Sequence, residues 1–130
     1  MKKILNTPED LPFLKDPPPE MHENIYEIVT DKGFKIEEHQ VITDDGYILT
    51  IFRIPSTLEE SKNPTGNNGK APLLFMHGLA DSAIAWVVNA PDKAPALVAA
   101  MAGYDVWLGN FRGNKYARKH QTLDSDKDEE

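Results

Sequence analysis

The chain has no cysteine among its 130 residues, which excludes a disulfide framework and any thiolate metal site. It also lacks an apolar run approaching the length of a membrane-spanning helix. The opening stretch MKKILNTPEDLPF carries two lysines but no apolar core, so as it stands it is not a secretory signal. No asparagine forms a glycosylation acceptor; Asn63 comes nearest, with Pro64 in the forbidden middle position. An excess of positive charge is missing too. The net charge of −7 argues against nucleic acid or an anionic membrane as an electrostatic partner. With 40% hydrophobic and 27% charged residues, the composition is that of a globular protein of one ordinary domain's length. The plain expectation from these counts alone is a soluble, intracellular chain.

Three apparent ligand motifs fail on inspection. GNNGKA hints at a phosphate loop, but Pro64 stands where the first glycine belongs and Ala71 replaces the magnesium-binding Ser/Thr. Asp124, Asp126 and Asp128 alternate like the start of a calcium loop, but Glu129 occupies the position that needs glycine. A solvated acidic tail, DSDKDEE, is the simpler reading. The four histidines (His22, His39, His77 and His120) have no metal-ligand spacing.

Along the chain, residues 1–18 are polar and proline-rich and read as an extended arm. EMHENIYEIVTDKG places Met21, Ile25, Ile28 and Val29 at helical spacing, with Pro19 suited to the first turn and Gly33 as a stop. Two β-rich runs, 36–43 and 47–54, flank Asp45-Gly46, a strong hairpin signal. Residues 56–71 are a turn-rich loop. PLLFM (72–76) has no alternation, as expected of a strand buried on both faces. A short helix is expected at 95–102, with Pro95 first, Gly103 just past the end and Ala94 as a poor cap. YDVWL (104–108) is another short buried strand. Strand, loop, helix, strand is a βαβ unit, and the helical crossover implies that the two strands are parallel.

Between the first of those strands and the helix stands FMHGLADSAIAW (75–86). Two readings of its His77-Gly78 turn are open. One is an ordinary exit from a strand, with glycine supplying an unusual backbone angle. The other is an oxyanion loop, whose backbone N–H is aimed at the negative oxygen that develops during acyl transfer.

GYDVWLGNFRGNKYARKH (103–120), EEHQVITDDGYILTIFRIP and MHGLADSAIAW, in that spacing, resemble the acid lipases, the gastric and lysosomal lipase family of α/β-hydrolases. The resemblance covers about residues 20–125. It implies an α/β fold: the N-terminal part of an α/β-hydrolase, a hairpin followed by the βαβ unit, in an incomplete domain. Residues 19–88 would be the lipase-associated N-terminal region and 72–130 the start of the hydrolase core. It further implies that Leu79 lends its backbone N–H to the oxyanion hole, with His77 and Gly78 shaping the turn. The implied activity is hydrolysis of lipid esters, triglycerides or sterol esters, by a Ser-Asp-His triad with no cofactor, in a secreted or lysosomal protein. Trp86 and Trp107 are expected in the core, and Arg112 is expected to tie its loop to a carboxylate.

The nucleophile is the difficulty. None of Ser56, Ser61, Ser82 and Ser125 stands in the G-x-S-x-G elbow. In this fold the base follows the nucleophile and acid in chain order, so no histidine here can serve. The lid and acyl pocket are not in the sequence either. The expectation is therefore a lipase piece broken inside its domain, inactive and poorly soluble alone, to be completed by a C-terminal half. A non-catalytic binding or regulatory module derived from a lipase is the alternative, and a different α/β-hydrolase such as a short-chain esterase is a third.

Overall fold

The computed structural model describes residues 24–55, 57 and 69–123. The arm at 1–18, Pro19, Met21, most of the 56–71 loop and the tail from Asp124 lie outside them. The first helix, α1 (Ile25–Asp31), begins later than its hydrophobic spacing predicts. Asn24 has extended backbone angles and accepts from the Tyr26 and Glu27 N–H groups, while Glu27 accepts from the Asn24 N–H in return. This reciprocal cap satisfies donors that a proline start leaves open, so the helix starts here and not at Pro19. Gly33, at φ 86°, ends it in the left-handed conformation. Ile25, Ile28 and Val29 form its buried stripe.

Strands β1 (Glu37–Ile42) and β2 (Tyr47–Ile54) pair antiparallel around the Thr43–Gly46 turn, with Glu37 opposite Arg53 and Ile42 opposite Ile48. Gly46 takes φ 92° there, and an added Cβ would strike the His120 ring. β3 (Pro72–Phe75) leads through a 3-10 turn (Ala83–Trp86) to α2 (Pro95–Met101) and then β4 (Asp105–Leu108). Pro95 opens α2 where its missing N–H costs nothing. β4 runs parallel to β3 and antiparallel to β2, and β5 (Lys119–His120) adds a short pairing to the start of β2. The main order is β1-β2-β4-β3, a mixed sheet.

Among the described residues, the two helices and the 3-10 turn pack on one face of this sheet. Phe52 and Ile54 of β2 and Val106 and Leu108 of β4 meet Ile25, Ile28, Val29, Val87 and Leu97 in a single cluster. Each such side chain removed from water contributes roughly 1.5–3 kcal/mol. Lys32 closes the layer, donating to the carbonyls of Val87, Val88 and Asn89 at 2.7–2.9 Å. Tyr26 meets Phe52 edge-on and donates its hydroxyl to Glu38. Partial burial, with help from that carboxylate, pushes the Tyr26 pKa up to about 12.

The other face corrects two expectations. β3 is not buried on both sides: Leu73 and Phe75 pack against the core, but Leu74 is 59% exposed. No described element covers that face, so the strand alternates although its sequence does not. Trp86 does pack against the core, touching Phe75. Trp107 does not; the β-strand alternation puts it opposite, under the Arg53 guanidinium, with its N–H donated to Asp105. Arg53 grips Asp105 through two nitrogens, at 2.8 and 3.1 Å. Burial raises the Asp105 carboxyl, yet the Arg53 and Trp107 donors outweigh it and hold the group below its usual range.

Candidate active site

Because β3 and β4 are parallel neighbours, the loops that follow them leave the same end of the sheet. The Gly109 N–H donates to Phe75 O at 2.9 Å, and any Cβ on Gly109 would collide with the Met76 sulfur. A side chain at that point would have to displace the end of the Met76 side chain. Between the two loops lies a cleft of about 840 Å³, lined by residues 77–82 on one side and 111–115 on the other.

His77 is buried at the base of the first loop, and both ring nitrogens are engaged. Its Nε2 lies 3.1 Å from the Phe111 N–H and 3.0 Å from Asn114 Nδ2, two donors. An atom receiving two donors carries no proton of its own, so the ring hydrogen sits on Nδ1, 2.8 Å from Gly78 O. The Asn114 orientation is itself fixed, since its Oδ1 accepts from the Tyr116 N–H. Its amide nitrogen reaches both His77 and Asn110 Oδ1, the latter at 2.7 Å.

Asn110 is 2% exposed and completes the network. Its Oδ1 also accepts from the Ala83 N–H at 3.0 Å, and its amide donates to Thr50 O on β2 at 2.9 Å. That side chain ties β2, the 3-10 turn and the second cleft loop together, and Asn114 carries the network on to the first. Burying so polar a group is tolerable only because each of its functions is met.

The residues singled out from sequence, His77, Gly78 and Leu79, all line the cleft. Gly78 does not take the unusual angle that an ordinary turn predicts; Ala80 does, at φ 58°. That conformation costs a non-glycine residue about 1 kcal/mol or more. A Cβ at Gly78 would meet nothing within 4 Å, and the Leu79 side chain is fully exposed. Among the described residues, no acceptor takes the Leu79 N–H. Ser82 lines the cleft but is buried at the start of the 3-10 turn, with its N–H on Asp81.

Arg112 pairs with Asp45 at 2.6 Å, as its loop position suggested, and lies over the Tyr47 ring. His120 joins the same contact, donating to Asp45 O and meeting Tyr47 edge-on. These contacts strap the second cleft loop to the hairpin tip. The Thr43 hydroxyl, then Arg112, holds the Asp45 carboxyl below its usual range. His39 lies apart, against Trp107 on the open sheet face. Among the described residues, no group of His, Asp and Glu is arranged to hold a metal ion, and no helix is long and apolar enough to cross a membrane.

Asn110 and Asn114 carry roles that sequence reasoning did not assign. The available signal was two asparagines flanking a glycine-rich turn directly after a buried strand, where a polar side chain must find buried partners.

Mixed sheet and cleft are those of a partial α/β-hydrolase layer. The family described as "Partial alpha/beta-hydrolase lipase region" matches residues 25–90. Lipase member M of Homo sapiens is 45% identical over 111 residues, covering 85% of this chain and 26% of its own length. Gastric triacylglycerol lipase of Rattus norvegicus is 46% identical over 103 residues, 78% of this chain and 25% of its own. Lipase lipl-1 of Caenorhabditis elegans is 47% identical over 112 residues, 85% of this chain and 27% of its own. The chain belongs to the acid lipase family. It spans about a quarter of the length of the curated relatives it matches.

Proposed function

We propose that this chain supplies one arm of the oxyanion hole, and the strands that carry it, to a lipase-type carboxylic ester hydrolase acting on lipid esters. Residues 19–88 form its lipase-associated region, and the hydrolase core begins at residue 72. The observation that carries this reading is the Gly78–Leu79 peptide: it lies in the cleft wall beyond the end of β3, and its N–H has no acceptor among the described residues. A backbone donor kept unpaired in a preformed turn costs no reorganisation when negative charge develops on a substrate oxygen. Gly78, small where nothing of the described chain presses on it, supports the same reading by leaving room for an ester to approach.

The nucleophile, acid and base come from sequence other than these 130 residues, since no serine here stands in a G-x-S-x-G elbow. The chain alone therefore does not turn over esters, and detectable hydrolysis by it would contradict this account. The same lack of a nucleophile supports a second reading, a non-catalytic module descended from a lipase. Leu79→Pro in the complete gene product tests the donor role directly, because proline has no N–H. The expected result is a kcat reduced on the order of 10²–10³-fold in a protein whose circular dichroism is unchanged. Unchanged turnover in that folded variant overturns the assignment.

A further inference from the structure

The Gly78 carbonyl and the Leu79 N–H belong to the same peptide unit. That unit is trans, as are all the peptide bonds described, so the two groups point in opposite directions from one plane. Whatever holds the carbonyl therefore aims the N–H. His77 Nδ1 holds it, at 2.8 Å.

We propose that His77 is a positioning residue that aims and polarises the Leu79 N–H through the Gly78 carbonyl, at the end of a relay running Asn110–Asn114–His77. This deepens the oxyanion reading and rests on it for its role in catalysis. The donors run outward from the Asn114 amide nitrogen, and on the His77 side they point toward the ring. Asn114 donates to Asn110 Oδ1 and to His77 Nε2, and the Phe111 N–H donates to the same Nε2. With Nε2 filled as an acceptor, the ring must donate from Nδ1 to Gly78 O. A donor on an amide carbonyl draws electron density toward that oxygen and makes the attached N–H a stronger donor, as in other hydrogen-bonded chains. Asn110, anchored to Thr50 O on β2, ties the relay to the sheet, so the aim of the peptide is referred to a rigid element and not to a loop.

Nuclear magnetic resonance of the full chain, labelled with nitrogen-15, tests this without relying on turnover. The wild-type His77 ring is expected as the Nδ1–H tautomer alone; a ring carrying its hydrogen on Nε2 overturns the relay, and this arm needs no variant to fold. In His77→Phe the Leu79 amide nitrogen resonance is expected to move upfield, because the bond to the preceding carbonyl is gone. An unmoved resonance in the folded variant also overturns it. Two further variants separate position from bulk. Asn carries its amide where His77 carries Nδ1, whereas Gln carries it nearer Nε2. His77→Asn should restore the Leu79 shift and His77→Gln should not; the reverse order contradicts the proposal. In the complete gene product, His77→Phe is expected to lower kcat about tenfold with KM within about twofold, and His77→Asn to recover most of the loss. If the relay passes while folded Leu79→Pro keeps full turnover, the oxyanion reading fails and the aimed peptide remains.

Discussion

One face of the sheet presents Phe52, Ile54, Val106 and Leu108 to two helices and a 3-10 turn, all within one buried cluster. The opposite face presents Leu74, 59% exposed, and Val41, 44% exposed, beside an ion pair made by Arg53 and Asp105. The same four strands make both, and β3 contributes apolar residues to each. The difference teaches where the described residues gain their stability: in the covered layer, with the open face held by cross-strand polar contacts. The cleft belongs to neither face. It sits beyond the strand ends, where hydrogen bonds from Asn110 and Asn114 replace apolar packing as the means of fixing a loop.

Substitutions can break that comparison in graded steps. Leu108→Ala, on the covered face, should cost about 3 kcal/mol, with a general range of roughly 2–5 for buried leucine, read from denaturant unfolding. A loss no larger than that at an exposed leucine would mean the covered layer is not where stability lies. Asn110→Ala comes next. It leaves the Ala83 N–H and the Thr50 carbonyl without this partner, at about 2 kcal/mol. Hydrogen exchange should also quicken in the cleft loops before it does in the core strands.

Asp105→Asn should cost about 1 kcal/mol at neutral pH, since it weakens a charge-assisted grip by Arg53 that is partly solvated. Its pH dependence has a definite sign. The folded carboxyl titrates below its unfolded value of roughly 3.9, so its contribution is complete above that value. It is lost as pH falls through the lower folded value. The Asn variant should therefore show a shallower acid limb than the wild type, and a variant limb just as steep would remove the Arg53–Asp105 pair from the account. Smallest of all, Leu74→Thr on the open face should change stability by about 0.5 kcal/mol or less while improving solubility.

The sequence made local demands easy to read. Pro95 opens α2, and Gly33 and Gly103 stand just past helix ends with φ of 86° and 94°, each a requirement met by one residue. Arg112 was expected on a carboxylate, and it has one, but the partner itself, Asp45, lies 67 residues away and was not legible. One local signal was missed, and the rest of what stayed hidden depended on distant partners. Met21 suggested that α1 runs back toward Pro19, whereas Asn24 and Glu27 satisfy each other and start it there. Four consecutive apolar residues made β3 look covered twice, but covering is decided by elements elsewhere in the chain. Trp107 was expected in the core by its neighbours, while strand alternation and Arg53 set it on the open side. At the candidate site, His77, Gly78 and Leu79 were legible as a turn and not as a relay. The partners of His77 lie 34 and 37 residues away, at Phe111 and Asn114. Ala80 carries the left-handed angle that glycine chemistry assigns to Gly78, so residue type alone misplaced the turn's unusual backbone.

The most direct test of the central claim, that this chain carries the charge-stabilising arm of an ester-hydrolysing site, is to sequence its transcript and genomic DNA past codon 130. The account predicts an in-frame continuation containing G-x-S-x-G, followed in order by an aspartate and a histidine that complete the triad. A stop codon directly after Glu130 in an abundant transcript would contradict it, leaving a lipase-family chain with an aimed peptide N–H and no nucleophile to serve.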